Sequence, residues 1–122
     1  MSAEWDAYSI TLRDGGGTFI VSDGEIEHVQ FDDGYIVGTQ PGSAATIQAI
    51  GTSHPVNVLP VIMQYIAGAA DSLLVGTWLN DITIVIDPVV HIEDRRTAMQ
   101  VARALKQVAI FDCKRSEVVN VR

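Results

Sequence analysis

Arg96, Gln100, Arg103 and Gln107 recur at intervals of four, three and four residues in the segment HIEDRRTAMQVARALKQ. On a helix that spacing puts all four on one face, with Arg95 and Lys106 on an adjoining face. A guanidinium forms paired hydrogen bonds to phosphate or carboxylate oxygens, so this face is a suitable wall for an anionic ligand. The same residues also suit a plain solvated helix face, with Lys106 complementing the negative end of the helix dipole. One local misfit favours a ligand or a partner's acid. Arg95 and Arg96 fall in the first helical turn, where positive charge opposes the dipole.

The other candidate residues speak less for chemistry. Trp78 can stack on a base or fill a core or subunit contact. His28, His54 and His91 lie in no metal-ligand or nucleophile-elbow spacing. Ser53 and His54 could join an acid in space to make a hydrolytic set, but nothing in their spacing demands it. Cys113 has no base beside it in the chain and suits a reduced, structural thiol. The glycines of RDGGGTF are followed by a strand pattern and no Gly-Lys-Ser/Thr, so a hairpin turn explains them better than a phosphate loop. Asp32 and Asp33 read as turn residues more readily than as half of a carboxylate metal site. The sequence therefore predicts no catalytic set, no metal and no cofactor.

The elements that must position the basic face follow from periodicity. AYSITLRD alternates through Tyr8, Ile10 and Leu12 and predicts a strand. TFIVS, EIEHVQF and YIVGT continue as strands, with turns at Gly15–Gly17 and Asp32–Gly34, and complete an antiparallel meander. After PGS, a short strand or helical turn is expected, broken at His54-Pro55. NVLPVIMQYIAGAADSL predicts a helix capped by Asn57, with Pro60 in its first turn and Leu59, Ile62, Met63 and Ile66 on its apolar face. SLLVGTWLN and DITIVID form a hairpin about Asn80–Asp81, and Pro88 ends its second strand. The basic segment is the next helix, capped by Glu93 or Asp94 and packed through Ala98, Val101, Ala102 and Leu105. VAIFD, the turn CKRSE and VVNV close the chain as a second hairpin. The expected fold is a single α+β domain over residues 1–122, in the order meander, helix, hairpin, helix, hairpin.

Bulk composition sets the partners. Apolar residues make up 48% and charged residues 19% of the 122 residues, and mean hydropathy is +0.22. That is rich in apolar surface for a small domain and predicts a homo-oligomer. No apolar run is long enough for a membrane span, and MSAEWDAYSI lacks the basic and apolar regions of a secretory leader, so a cytoplasmic location is expected. Residues 1–94 hold thirteen acids against Arg13 alone. Residues 95–122 hold Arg95, Arg96, Arg103, Lys106, Lys114, Arg115 and Arg122 against Asp112 and Glu117, within a total of −7. An acidic surface repels a phosphate backbone, which argues against general nucleic-acid binding but leaves room for a small anion at a local basic patch.

Residues 76–121 carry a Trp, a strand ending in Asp, a connector, a helix, then AIFD, a short polar turn and a last strand. This arrangement resembles small accessory proteins of tailed bacteriophages, and within them the Thoeris anti-defence family. That resemblance implies a non-enzymatic sponge that sequesters cyclic ADP-ribose-type signals in the host cytoplasm. It also implies that Trp78 and the arginines meet an adenine ring and a pyrophosphate. The alternative from charge alone is an interaction or structural protein whose acidic sheet docks on a host or virion protein. A third reading, a small hydrolase using His54 or Cys113, has the least behind it.

Overall fold

A computed structural model of the chain describes residues 3–22, 24–40, 45–48, 55–68 and 72–121. In chain order the elements are α1 (Ala3–Asp14), β1 (Gly16–Ser22), β2 (Glu25–His28), β3 (Tyr35–Gly38), β4 (Ala45–Gln48), α2 (Pro55–Ala67), β5 (Ser72–Asn80), β6 (Thr83–Ile92), α3 (Arg95–Ala104), β7 (Ala109–Asp112) and β8 (Glu117–Asn120). The fold is α+β, and every strand pairing among the described residues is antiparallel. No described helix is long and apolar enough to cross a membrane. The chain gathers into two compact units, residues 1–29 with 43–88, and residues 30–42 with 89–122.

In the first unit β1 lies between β2 and β5, and β5 pairs on with the first part of β6, which also carries β4. Alternation along β1, β5 and β6 turns Phe19, Val21, Val75, Ile84 and Ile86 to one face. There they form a core with Ala7 and Ile10 of α1 and Leu59, Met63 and Ala67 of α2. The segment expected as a first strand is helix α1 instead. Ala7, Ile10 and Thr11 are buried while Leu12 is 40% exposed, so the spacing that packs is i, i+3, i+4, and the period-two pattern through Tyr8, Ile10 and Leu12 is incidental. The helix stops at Gly15, which takes φ +80°, a conformation that favours glycine.

Further details of this unit depart from expectation. Helix α2 begins at Pro55, so Asn57 is inside its first turn and Pro60 lies within the helix rather than at its start. Pro60 removes one i→i−4 hydrogen bond there, a loss that the burial of Leu59 and Met63 offsets. The β5–β6 turn is Asp81–Ile82, one residue beyond the predicted pair, with Asp81 at φ +58° and Asn80 paired with Thr83. Pro88 does not end β6. It is the last residue of β6 to pair with β5, opposite Val75, and Val89–Ile92 continue the strand against β3.

In the second unit β3 lies between the end of β6 and β7, and β7 pairs with β8. Helix α3 packs on this sheet through the fully buried Ala98 and Ala102, which meet Val37, Ile110 and Val121. Small residues on the buried face let the helix backbone approach the strands. The Asp32–Gly34 turn forms but joins no hairpin, because β2 pairs with β1 and β3 with β6 and β7. Its role is local. Asp33 Oδ1 accepts a hydrogen bond from the Gly34 amide at 2.7 Å, and the Asp33 carbonyl lies 2.7 Å from His91 Nε2. The His91 ring stacks on Phe31 with centroids 4.0 Å apart.

Candidate functional site

Helix α3 owes its start to Asp94. The Asp94 carboxylate accepts from the Thr97 amide and the Thr97 hydroxyl, each at 2.8 Å. Those two bonds, the amide first, hold its carboxyl below the usual carboxylate range, and the nearby Arg96 charge acts in the same direction. The helix ends in a Schellman arrangement: Lys106 N–H donates to the Arg103 carbonyl and Gln107 N–H to the Ala102 carbonyl. Lys106 takes φ +57° to do so. Gln107 then anchors the helix end sideways, its side-chain amide donating to the Gln40 carbonyl.

Between these two ends, Arg95, Arg96, Gln100 and Arg103 are exposed and Met99 is half-buried against the core beneath. With Asp94 they line an open depression of about 670 Å³. Arg96 and Arg103 stand on one stripe, separated along the axis by roughly 10 Å, seven residues at ~1.5 Å each. The ion pairs among the described residues are Arg13–Asp14 and Arg115–Glu117. Arg95, Arg96, Arg103 and Lys106 are in neither. The misfit of positive charge in the first turn is therefore answered in part by the Asp94 cap, and the guanidinium groups beyond it keep their hydrogen-bonding capacity unspent.

Of the five residues expected to bind ligand, the structure brings Arg95, Arg96 and Arg103 to one surface. Lys106 does not line the depression and serves the helix terminus. Trp78 belongs to the first unit, on β5 between Gly16 of β1 and Val85 of β6, and is 39% exposed. Met99 and Gln100 are the additions that complete the lining. Gln100 already stood on the arginine stripe, and Met99 is legible as the residue four after Arg95 and three after Arg96.

The alternative chemistries find little support in the arrangement. Ser53 and His54 lie outside the described residues. The Cys113 thiol is half-buried and pushed up to about 11, by burial first and then by Asp112 and Asp33, which makes it a weak nucleophile near neutral pH. The Asp112 carboxylate is buried and accepts from the amides of Lys114 and Arg115, which shapes the β7–β8 turn. His91 holds the turn at Asp33 as described above. Among the described residues no three His, Cys, Asp or Glu side chains gather at metal-binding distance. No family model, curated protein or solved structure matches the chain.

Proposed function

We propose that this chain is a non-enzymatic binding protein that sequesters a small anionic, nucleotide-type ligand on the arginine face of α3. One observation carries the reading: three guanidinium groups share a surface and, among the described residues, none of them is in an ion pair. Charged hydrogen bonds from arginine to phosphate contribute about 1.5–3 kcal/mol each, so three together contribute about 4.5–9 kcal/mol, which spans millimolar to micromolar affinity. The likeness of residues 76–121 to phage anti-defence sponges suggests the ligand class, cyclic ADP-ribose-type signals, and a working place in the cytoplasm of an infected host.

Calorimetry with cyclic ADP-ribose isomers and cyclic oligonucleotides tests this. The proposal expects micromolar or tighter binding by one member, lost in Arg96→Gln/Arg103→Gln, with the ligand recovered intact after long incubation. No binding across the panel sinks it, and ligand turnover would make the chain an enzyme.

A second reading has its own observation. The first unit carries one basic residue against nine acidic ones, net −8. Its α2 has no charged residue at all and exposes Val61 at 67% and Tyr65 at 85%. Such a surface suits docking on a host or virion protein. A pull-down from host lysate that yields one stoichiometric partner, released by Tyr65→Arg but retained by Arg96→Gln/Arg103→Gln, would favour it over the sponge.

A further inference from the structure

We propose that the Asp33–Gly34 peptide bond is a site of spontaneous covalent modification, where the Asp33 side chain cyclises to a succinimide that reopens as isoaspartate. The step needs no ligand on α3.

In this reaction the Gly34 nitrogen attacks the Asp33 carboxyl carbon. An N–Cγ bond forms, the Cγ–OH bond of the protonated carboxyl breaks, and the hydroxyl leaves as water with the amide proton. Water then adds back to the ring. Addition at the side-chain carbonyl restores aspartate. Addition at the main-chain carbonyl routes the chain through the side chain, as isoaspartate. Water is the only co-reactant, and nothing is oxidised or reduced.

Direction matters here as much as distance. The planar succinimide nitrogen carries Cγ in the place where the amide carries its hydrogen. An N–H that points at the carboxyl group of the preceding residue is therefore aligned for ring closure. The Gly34 N–H does so, donating to Asp33 Oδ1 at 2.7 Å. Holding the reacting groups in that geometry removes much of the entropic part of the barrier.

Two neighbouring features favour the same step. The Asp33 carbonyl lies 2.7 Å from His91 Nε2. A carbonyl only accepts, so His91 holds its proton at Nε2 and donates it. That carbonyl belongs to the attacking amide, and a donor on it draws electron density from the nitrogen and makes its proton easier to remove. Stacking on Phe31, with ring centroids 4.0 Å apart, keeps the His91 donor in place. Gly34 itself, at φ +84°, leaves the nitrogen unshielded, and a Cβ there would run into His91.

Asp14–Gly15 has the same two residue types in opposite surroundings. Arg13 Nε and Nη2 donate to Asp14 Oδ1 and Oδ2 at 2.8 and 3.0 Å. Those bonds hold the Asp14 carboxyl below the usual carboxylate range. The protonated form that loses water is scarce there, and both oxygens are turned to the guanidinium. At Asp33 the modification has a structural consequence, because isoaspartate adds one carbon to the main chain. The Gly34 carbonyl, which accepts from the Cys113 amide at 3.0 Å, moves with it, so the turn loosens where β3 starts and β7 ends.

Ageing the full chain in warm neutral buffer tests the proposal. Electron-transfer fragmentation of the chymotryptic peptides that end at Phe19 and Tyr35 separates isoaspartate from aspartate at the two positions. In the folded protein Asp33 should convert severalfold faster than Asp14, and in the urea-unfolded chain the two should convert at like rates. His91→Phe, which keeps a ring against Phe31 and loses the donor, should bring Asp33 most of the way down to the Asp14 rate. His91→Gln, which keeps a donor, should retain more of the excess. Equal rates at Asp33 and Asp14 in the folded protein overturn the proposal. So does an excess at Asp33 that persists in urea, where only local sequence acts, or one that His91→Phe leaves unchanged.

Discussion

The buried hydroxyl pair of Thr11 and Thr77 offers a direct check on α1, the element that sequence periodicity misassigns. Thr11 Oγ1 donates to the Ala7 carbonyl one turn back at 2.8 Å and lies 2.6 Å from Thr77 Oγ1. Both residues are buried, at 0% and 4% exposure. A hydroxyl has one proton, and that of Thr11 goes to Ala7, so Thr77 donates and Thr11 accepts. The two single substitutions are then unequal. Thr11→Val strands the Thr77 hydroxyl without an acceptor and should cost about 1–3 kcal/mol. Thr77→Val leaves Thr11 its bond to Ala7 and should cost about 0.5–1.5 kcal/mol. The double variant removes both polar groups at nearly constant shape and should recover most of the loss, giving a coupling of about 1 kcal/mol or more. Urea unfolding of the four proteins measures each term. Strictly additive losses, or a larger loss for Thr77→Val than for Thr11→Val, would refute the packing of α1 on β5 through these hydroxyls.

Three shorter predictions concern the second unit. Gly34 has φ +84°, and a Cβ there would run into the His91 ring; Gly34→Ala should destabilise by about 2–4 kcal/mol in urea unfolding, from positive-φ strain and overpacking together. Lys106 is a non-glycine residue in the left-handed position of the α3 terminus, so Lys106→Gly should leave stability unchanged or raise it by up to about 1 kcal/mol, with ligand affinity within twofold of the parent. The raised Cys113 value means the thiolate is scarce below pH ~9 and forms as pH climbs towards about 11; modification by a disulfide reagent should be slow at pH 8 and accelerate steadily above it. Rapid modification at pH 7 would contradict that assignment.

The basic helix was legible because three independent signals agree over Asp94–Gln107. Asp94 caps, Ala98, Val101, Ala102 and Leu105 repeat at helical spacing, and the charged residues fall on the complementary face. The missing agreement explains the failure at residues 7–14. Tyr8, Ile10 and Leu12 alternate, and the helical face uses Thr11, a polar residue whose burial depends on a hydroxyl partner 66 residues away. Turns are local, and CKRSE does turn between β7 and β8, but Asp32–Gly34 turns without making a hairpin, and of Gly15–Gly17 only Gly15 lies outside β1, at the end of α1. Strand partners are not local. Nothing in EIEHVQF or YIVGT says that β2 stays with β1 while β3 pairs with β6 and β7. Pro88 was expected to end a strand because it lacks an N–H, and it sits where β6 exchanges β5 for β3, a position where a ladder bond is dispensable. Of the site, the arginines were visible as a helical stripe. That Trp78 belongs to a different compact unit from them follows from chain packing alone, which no spacing encodes.

The central claim is that the guanidinium groups of α3 meet the ligand. Arginine side-chain Nε–H resonances, followed by nitrogen-15 NMR while a cyclic ADP-ribose isomer is added, test it most directly. Arg96 and Arg103 should shift together with a shared micromolar midpoint and Arg95 with them, while Arg13 and Arg115, which lie outside the α3 face, stay in place. Saturable shifts at Arg13 or Arg115 with a still α3, or no shift at any arginine across the ligand panel, would contradict the account.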